Sequence, residues 1–508
     1  MKLYTAEQIR AWDEYTITNE PIASIDLMER AAVKCVRWLI GHFSQNTHFE
    51  VFCGMGNNGG DGLAIARMLS KESKNITVYV LKSTEKGSPD FETNLKRLKE
   101  TTVIVVEVSA QKDFPEIQTE SIIIDALFGT GLKRPLEGVA AQLVRHINNF
   151  SNTKVAIDLP SGLPADWVDN TADYKEVIHA NHTITFQVPK QSFLLPETGK
   201  YVGSLVVTDI GLSKDYAVNT QSQYYWVDST LVLRLLKTRN RFSHKGTYGH
   251  ALLIGGSMGK AGAMLLATKA CIKAGAGLTT AFVPRCAYTP MQTAVPEAMT
   301  ETIQKEDLLD FMPTNTDAYT AIGIGPGMGT QITTRDALDD FFATVDSKKL
   351  VLDADALNCL SLNFAERKKV KLPEGAILTP HPKEFDRMFG ESKSAWERLK
   401  KQTEAAQKHK VTIVLKGTHT SIAAPNGEVY FNSTGNPGMA TGGSGDVLTG
   451  IITALRAQGY ESIDACIVGV YLHGLAADLA LQTESTESLA AGDIIAYLGR
   501  AYKHAGSY

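Results

Sequence analysis

This sequence has few cysteines and keeps them apart. The six (Cys35, Cys53, Cys271, Cys286, Cys359, Cys466) form no CxxC pair, and no histidine cluster accompanies them. That pattern excludes a cysteine-ligated zinc site and a disulfide framework, and fits a reducing compartment. Apolar runs of membrane-spanning length are missing as well. The amino-terminal stretch MKLYTAEQIRAWDEYT reads as an amphipathic helix, so no signal peptide is expected. A formal charge of −4, with lysines and arginines scattered, leaves no basic patch and argues against nucleic acid or an acidic membrane as partner. Low-complexity tracts are absent. The expectation is a cytoplasmic globular protein.

What the chain does have is alternation. Its 508 residues are too many for one core and imply two or three domains. Short apolar runs recur at 49–53, 76–81, 121–127, 154–159, 182–188 and 204–210, separated by helical patterns such as GLAIARMLS. After the polar, aperiodic stretch SKDYAVNTQSQYY a second series follows at 250–256, 278–283, 318–325, 349–355, 376–381 and 411–417. A hairpin is expected in TSIAAPNGEVYFN, turning at Asn426–Gly427. Strands alternating with helices predict an α/β protein, two largely parallel sheets each covered on both faces. The boundaries read as 1–213, a linker at 214–225, and 226–508. The apolar segment DACIVGVYLHGLAADLAL is either core or a subunit interface, and a homo-oligomer is expected.

Two glycine-rich loops carry the chemistry. GMGNNGGDG (54–62) joins a strand to a helix, a geometry that offers backbone N–H groups and a helix N-terminus to phosphate. Its spacing matches neither a dinucleotide fingerprint nor a Walker loop, and Asp61 serves equally well as a helix N-cap. Asp125 and Asp158 end two further strands, in DALFGTGLKRPLEG and AIDLPSG. Asn58, Asp125 and Ser161 together offer hard oxygen ligands for a group I or II cation; helix caps and loop hydrogen bonds are the plainer reading of the two aspartates.

The second loop, GNPGMATGGSGDVLTG, sets Gly442, Gly443 and Gly445 at the start of an amphipathic helix, where N–H groups stabilise a transferring phosphoryl group. Asp446 beside them suits a base that takes a proton from an attacking hydroxyl. Lys416, Gly417, Thr418, His419 and Thr420 end a strand and offer a cradle for nucleotide phosphates or ribose. His381 follows another strand, and a lone histidine is more often structural. Asp353 and Asp355 read as loop and cap residues and as candidates to line the cleft.

GMGNNGGDG, DALFGTGL, AIDLPSGL and YVGSLVVTDIGL, in this order, resemble the NAD(P)H-hydrate epimerase family (YjeF N-terminal domain), which has a Rossmann-like fold. The resemblance implies that Asn57, Asn58, Gly59, Gly60 and Asp61, with Gly129, Thr130, Gly131, Leu132, Lys133, Arg134 and Pro135, hold the hydrated dinucleotide. It implies K⁺ on Asn58, Asp125 and Ser161, and Asp158 reaching the substrate as a catalytic residue. VPKQSF departs from the family pattern, so Lys190 receives no role.

HKGTYGHALLIGGS, GIGPGMG, TPHPKEF, VLKGTHT and NPGMATGGSGDVLTG resemble the ribokinase-like NAD(P)H-hydrate dehydratases, with Tyr248 where phenylalanine is usual. Here the resemblance implies that Ala261, Gly327, His381 and Asp446 contact the hydrated nucleotide. Lys416–Thr420 and Gly445 would hold ADP with Mg²⁺, and Asp446 would be the catalytic base. Together the halves imply repair of hydrated NADH and NADPH by epimerisation and ADP-dependent dehydration. A ribokinase-like small-molecule kinase with an N-terminal nucleotide-sensing domain is the alternative.

Overall fold

Strand residues of the first half divide between two cores. Phe49, Val51, Cys53, Ile122, Ile124 and Ala126 pack on one side; Phe52, Ile123 and Leu127 pack on the other. Successive strand side chains point to opposite faces, so a sheet covered on both faces needs apolar residues at nearly every position. Helices Ser24–His42, Asn57–Lys71 and Pro89–Lys99 cover the first face, and Gly138–Asn148 covers the second. The result is a three-layer αβα unit.

The computed structural model describes residues 1–72, 75–367 and 372–506. Two units divide the chain: Lys2–Ser222 makes up nearly all of the first, and the second begins at Gln223. The first sheet holds β1 (His48–Cys53), β2 (Asn75–Leu81), β3 (Ile104–Val108), β4 (Ile122–Ala126), β5 (Lys154–Ile157), β6 (His182–Phe186) and β7 (Ser204–Thr208). Their order is β3-β2-β1-β4-β5-β6-β7, all parallel. Chain direction across the sheet reverses between β1 and β4, the place where open parallel sheets bind ligands. The edge strand β3 was not foreseen; its Ile104 is 63% exposed, so it lacks the burial signature of its neighbours.

The second sheet comprises β8 (Tyr224–Val227), β9 (His250–Ile254), β10 (Leu278–Val283), β11 (Met299–Thr302), β12 (Ala321–Ile324), β13 (Leu350–Leu352), β14 (Ile377–Leu378), β15 (Thr412–Leu415), β16 (Ser421–Ala423) and β17 (Val429–Asn432). The order is β11-β10-β9-β12-β13-β14-β15-β16-β17-β8, with its own reversal between β9 and β12. Only β16 runs antiparallel to its neighbours, through the expected hairpin, and Gly427 there has φ +93°.

The boundary between the two units falls within the stretch read as a linker, and that stretch carries secondary structure. Lys214–Asn219 is a helix, and Tyr224 and Tyr225 open β8, which pairs with β17 while Tyr225 stacks on Tyr430. An aromatic run favours a strand; the polar residues before it hid the signal.

One face of the second sheet packs on helices Ala261–Lys273, Ser444–Ala457, Ser462–Ala480 and Ala491–Gly506. Ser462–Ala480 is long and apolar enough to cross a membrane by length and composition, yet 78% of its apolar window is buried within the protein. It is core.

Candidate active sites

The glycines of GMGNNGGDG meet protein atoms more than open space. A Cβ on Gly54 would lie 2.0 Å from the Leu127 carbonyl oxygen, one on Gly59 1.8 Å from that of Gly54, and one on Gly62 2.6 Å from Ala126 Cβ. Gly54 and Gly62 let the β1 loop and its helix press against the end of β4, and Gly59 lets the loop fold onto its own backbone. Gly56 and Gly131 alone of these two loops' glycines that precede Pro135 have nothing within 4 Å. The helix begins at Asn57, so Asp61 lies one turn inside it and is not its N-cap. Asp61 is 9% exposed, and its carboxyl makes no hydrogen bond among the described residues. Burial and the charges of Asp158, Asp13 and Asp90 hold Asp61 well above the usual carboxylate range.

Asn58, Asp125 and Ser161 come together at the carboxyl ends of β4 and β5. Asn58 Nδ2 donates to the Phe128 carbonyl (3.0 Å), and Ser161 Oγ donates to Asp125 Oδ1 (2.5 Å). Asp125 also accepts from the Ser161 and Leu127 amides, and is pushed up to about 6 by burial, which these hydrogen bonds partly offset. Asn58 Oδ1 is buried without a hydrogen-bond partner. A buried, unsatisfied oxygen among a carboxylate, a hydroxyl and a carbonyl suits a hard cation of group I or II.

Asp158 sits in the left-handed region (φ +63°), unusual for a residue with a side chain. Its Oδ1 accepts from the Phe186 amide and lies 2.6 Å from Lys190 Nζ, which is 1% exposed. Lys190 therefore belongs to the site although the sequence reading left it out. Its place just after β6 is the signal that could have found it. Nearby Asp13, on helix Ala6–Asn19, is pushed up to about 7 by burial and by Asp158, against the lowering effect of Lys190. Nothing in the sequence pointed to it. Thr130, Leu132 and Lys133 line a cavity of about 450 Å³ together with Arg10, Asp166 and Tyr174.

In the second unit, Gly443 takes φ +91° at the N-cap of helix Ser444–Ala457, a conformation natural to glycine. A Cβ on Gly445 would sit 3.4 Å from Lys416 Nζ, so the two expected nucleotide-binding elements adjoin. Lys416 Nζ lies 2.8 Å from Asp353 Oδ1 and 4.0 Å from Glu384. Burial alone would lower its pKa, but those two carboxylates raise it. Asp353, read as a loop residue, is 1% exposed and also accepts from Thr449 Oγ1 at 2.6 Å. Following strand ends would have found it, since it directly succeeds β13. Asp446 is pushed up to about 6 by burial and Asp353, with Lys416 opposing.

Thr420 closes its loop by bonding to Gly417. The His419 ring turns to the Asn432 carbonyl and packs edge-on against Trp226. His381 caps helix Pro382–Phe389: its Nδ1 accepts from the Lys383 and Glu384 amides. Gly327 has φ +62°, and a Cβ there would meet Lys260 and Ala263, which places it beside Ala261.

The family described as YjeF-related protein N-terminus matches residues 24–192, and that described as NAD(P)H-hydrate dehydratase matches 251–500. The bifunctional NAD(P)H-hydrate repair enzyme of Moorella thermoacetica is 35% identical over 98% of this chain and 96% of its own length. The chain belongs to the bifunctional NAD(P)H-hydrate repair enzymes. The Escherichia coli repair enzyme is 32% identical over 98% of this chain and 93% of its own. A solved ribokinase-like superfamily protein from Enterococcus faecalis is 31% identical, covering 57% of this chain and 99% of that one, with a TM-score of 0.50. The repair enzyme thus joins a Rossmann-like unit to a ribokinase-like unit.

Proposed function

We propose that the first unit interconverts the R and S epimers of hydrated NADH and NADPH, and that the second dehydrates the S epimer using ADP, giving AMP and phosphate. The observation that carries this reading is the likeness to two-activity repair enzymes along 98% of the chain.

In the second unit the C6 hydroxyl attacks the terminal phosphorus of ADP while Asp446 accepts its proton; the phosphorus–oxygen bond to AMP breaks. The N–H groups of Gly443 and Gly445 steady the charge on the transferring group. Phosphate is a good leaving group where water is a poor one. The ring nitrogen expels it, and loss of the C5 proton restores the double bond. Lys416, held by Asp353, reaches the nucleotide phosphates, and Mg²⁺ accompanies ADP to reduce their charge. Ala261, Gly327 and His381 contact the hydrated nucleotide.

In the first unit Asn57–Asp61 and Gly129–Pro135 hold the substrate. Asn58, Asp125, Ser161 and the Phe128 carbonyl would hold K⁺, which would supply positive charge to an anionic substrate. Asp158 reaches the reacting ring. Six free cysteines agree with work in a reducing cytoplasm.

The test supplies purified protein with mixed R and S NADH-hydrate, ADP, Mg²⁺ and K⁺, and follows the return of NADH absorbance. Recovery of the whole pool faster than spontaneous epimerisation is expected. Recovery of the S fraction alone would remove the epimerase, and no recovery with ADP or ATP would sink the reading.

A further inference from the structure

Asp61 feels the charges of Asp158 and Asp13, and of these three carboxyl groups only Asp158 is ion-paired, to Lys190 at 2.6 Å. One cation can neutralise one carboxylate. Lys190 spends its hydrogen bonds around Asp158, giving them to Asp158 Oδ1, Thr185 Oγ1 and the Phe186 carbonyl. The Lys190 ammonium is therefore committed to Asp158. Asp61 is 9% exposed, has no hydrogen-bond partner among the described residues, and faces Asp158, Asp13 and Asp90 with the buried thiol of Cys35 beside it. Asp13 faces Asp158, Glu14 and Lys190. Each of these carboxylates disfavours ionisation of its neighbours.

Inversion at C6 needs an acid to release the hydroxyl and a base to receive the proton of the returning water. We propose that Asp61 is the proton donor of the epimerisation, Asp158 the acceptor, and Asp13 a positioning residue that keeps the proton on Asp61; this rests on the epimerase reading of the first unit. As the C6–O bond breaks, its electron pair leaves with the oxygen, which takes the Asp61 proton and departs as water. The ring nitrogen's lone pair closes an N1=C6 iminium. Water adds to the other face, the C=N pair returns to nitrogen, and Asp158 takes the proton that the water sheds. Transfer of that proton back to Asp61 resets the site. Burial agrees: it favours the uncharged form of Asp61, and Asp13 is pushed up to about 7.

The experiment uses the full chain, K⁺ and pure R NADH-hydrate without ADP, with epimers resolved by chromatography. In ¹⁸O-water each inversion should place one solvent oxygen at C6. Wild-type kcat/KM should fall as pH rises above neutrality, and Asp13→Asn should move that fall to lower pH. Asp61→Asn should lower kcat by roughly a hundredfold or more, as for a general acid. Epimerisation without ¹⁸O uptake would mean ring opening and would overturn the proposal, as would a rate that is flat from neutral to alkaline pH. An Asp61→Asn enzyme within roughly threefold of wild type would do the same. Should that variant not fold, the wild-type isotope and pH measurements still decide. A wild-type chain that interconverts nothing would refute the epimerase reading itself, a different result from any of these.

Discussion

Lys190 Nζ and Asp158 Oδ1 lie 2.6 Å apart at the carboxyl ends of adjacent strands, the lysine side chain 1% and the aspartate side chain 13% exposed. Removing one partner of such a pair leaves the other charge buried and unpaired, a cost of about 3–5 kcal/mol. Lys190→Met should lower the unfolding midpoint of the first unit in a denaturant titration accordingly. It should also abolish epimerisation in whatever protein folds. A stability change within experimental error would show that the pair is not coupled.

Asp446 is the only carboxylate on the first turn of helix Ser444–Ala457. As a general base it should be worth ~10²–10⁴ in rate. Asp446→Asn should reduce ADP-dependent NADH recovery by that factor and leave R-to-S interconversion untouched. Equal loss of both activities would indicate misfolding.

The pH dependence follows from the same residue. Its folded pKa is raised to about 6, so the proton is held below that pH and released above it. The base is the ionised form, and dehydration should therefore rise with pH through about 6 and level off. Asp353→Asn removes a like charge and frees Lys416, and both effects move the rise to lower pH. A profile that shifts upward instead would contradict the electrostatic account.

Potassium dependence should reside in the oxygen cluster of the first unit. Asn58→Ala removes the unpartnered Oδ1, and Asp125→Ala removes the carboxylate. Each should weaken activation of the epimerase by K⁺, read as a higher half-saturating concentration. Activation unchanged in Asp125→Ala would take that residue out of the cation site.

The loop glycines offer a stability test. Gly56→Ala meets open space and should be nearly neutral. Gly59→Ala drives a methyl to within 1.8 Å of a carbonyl oxygen and should cost about 3 kcal/mol, the upper range for overpacking. Thermal unfolding of the two variants decides it.

Where sequence was legible, it was because a residue type had one physical use. Continuous apolar runs such as FEVFC and SIII could only be doubly buried strands, and they are β1 and β4. Asn58, Asp125 and Ser161 could be grouped because strand ends collect oxygen ligands, and the fold brings them together. Legibility failed where one letter has several uses. The glycines of the first loop were read as room for a ligand, but most are room for Leu127, Ala126 and the loop's own backbone. Asp13 looks like an ordinary polar residue until distant segments surround it. An edge strand such as β3 carries too little burial to announce itself.

The helix Ser462–Ala480 is apolar all round because the fold encloses it on most sides. It is delivered after β9–β17 have been synthesised, so until then the face it shares with helices Ala261–Lys273 and Ser444–Ala457 is only partly covered. A premature stop before residue 462 would not trim the second unit but leave it without a lid, a substrate for chaperones and proteases. A chain that makes the helix and fails to seat it shows the cell a segment that reads, by length and composition, as a membrane span. Misfolding of this unit thus carries a risk of misrouting as well as of aggregation.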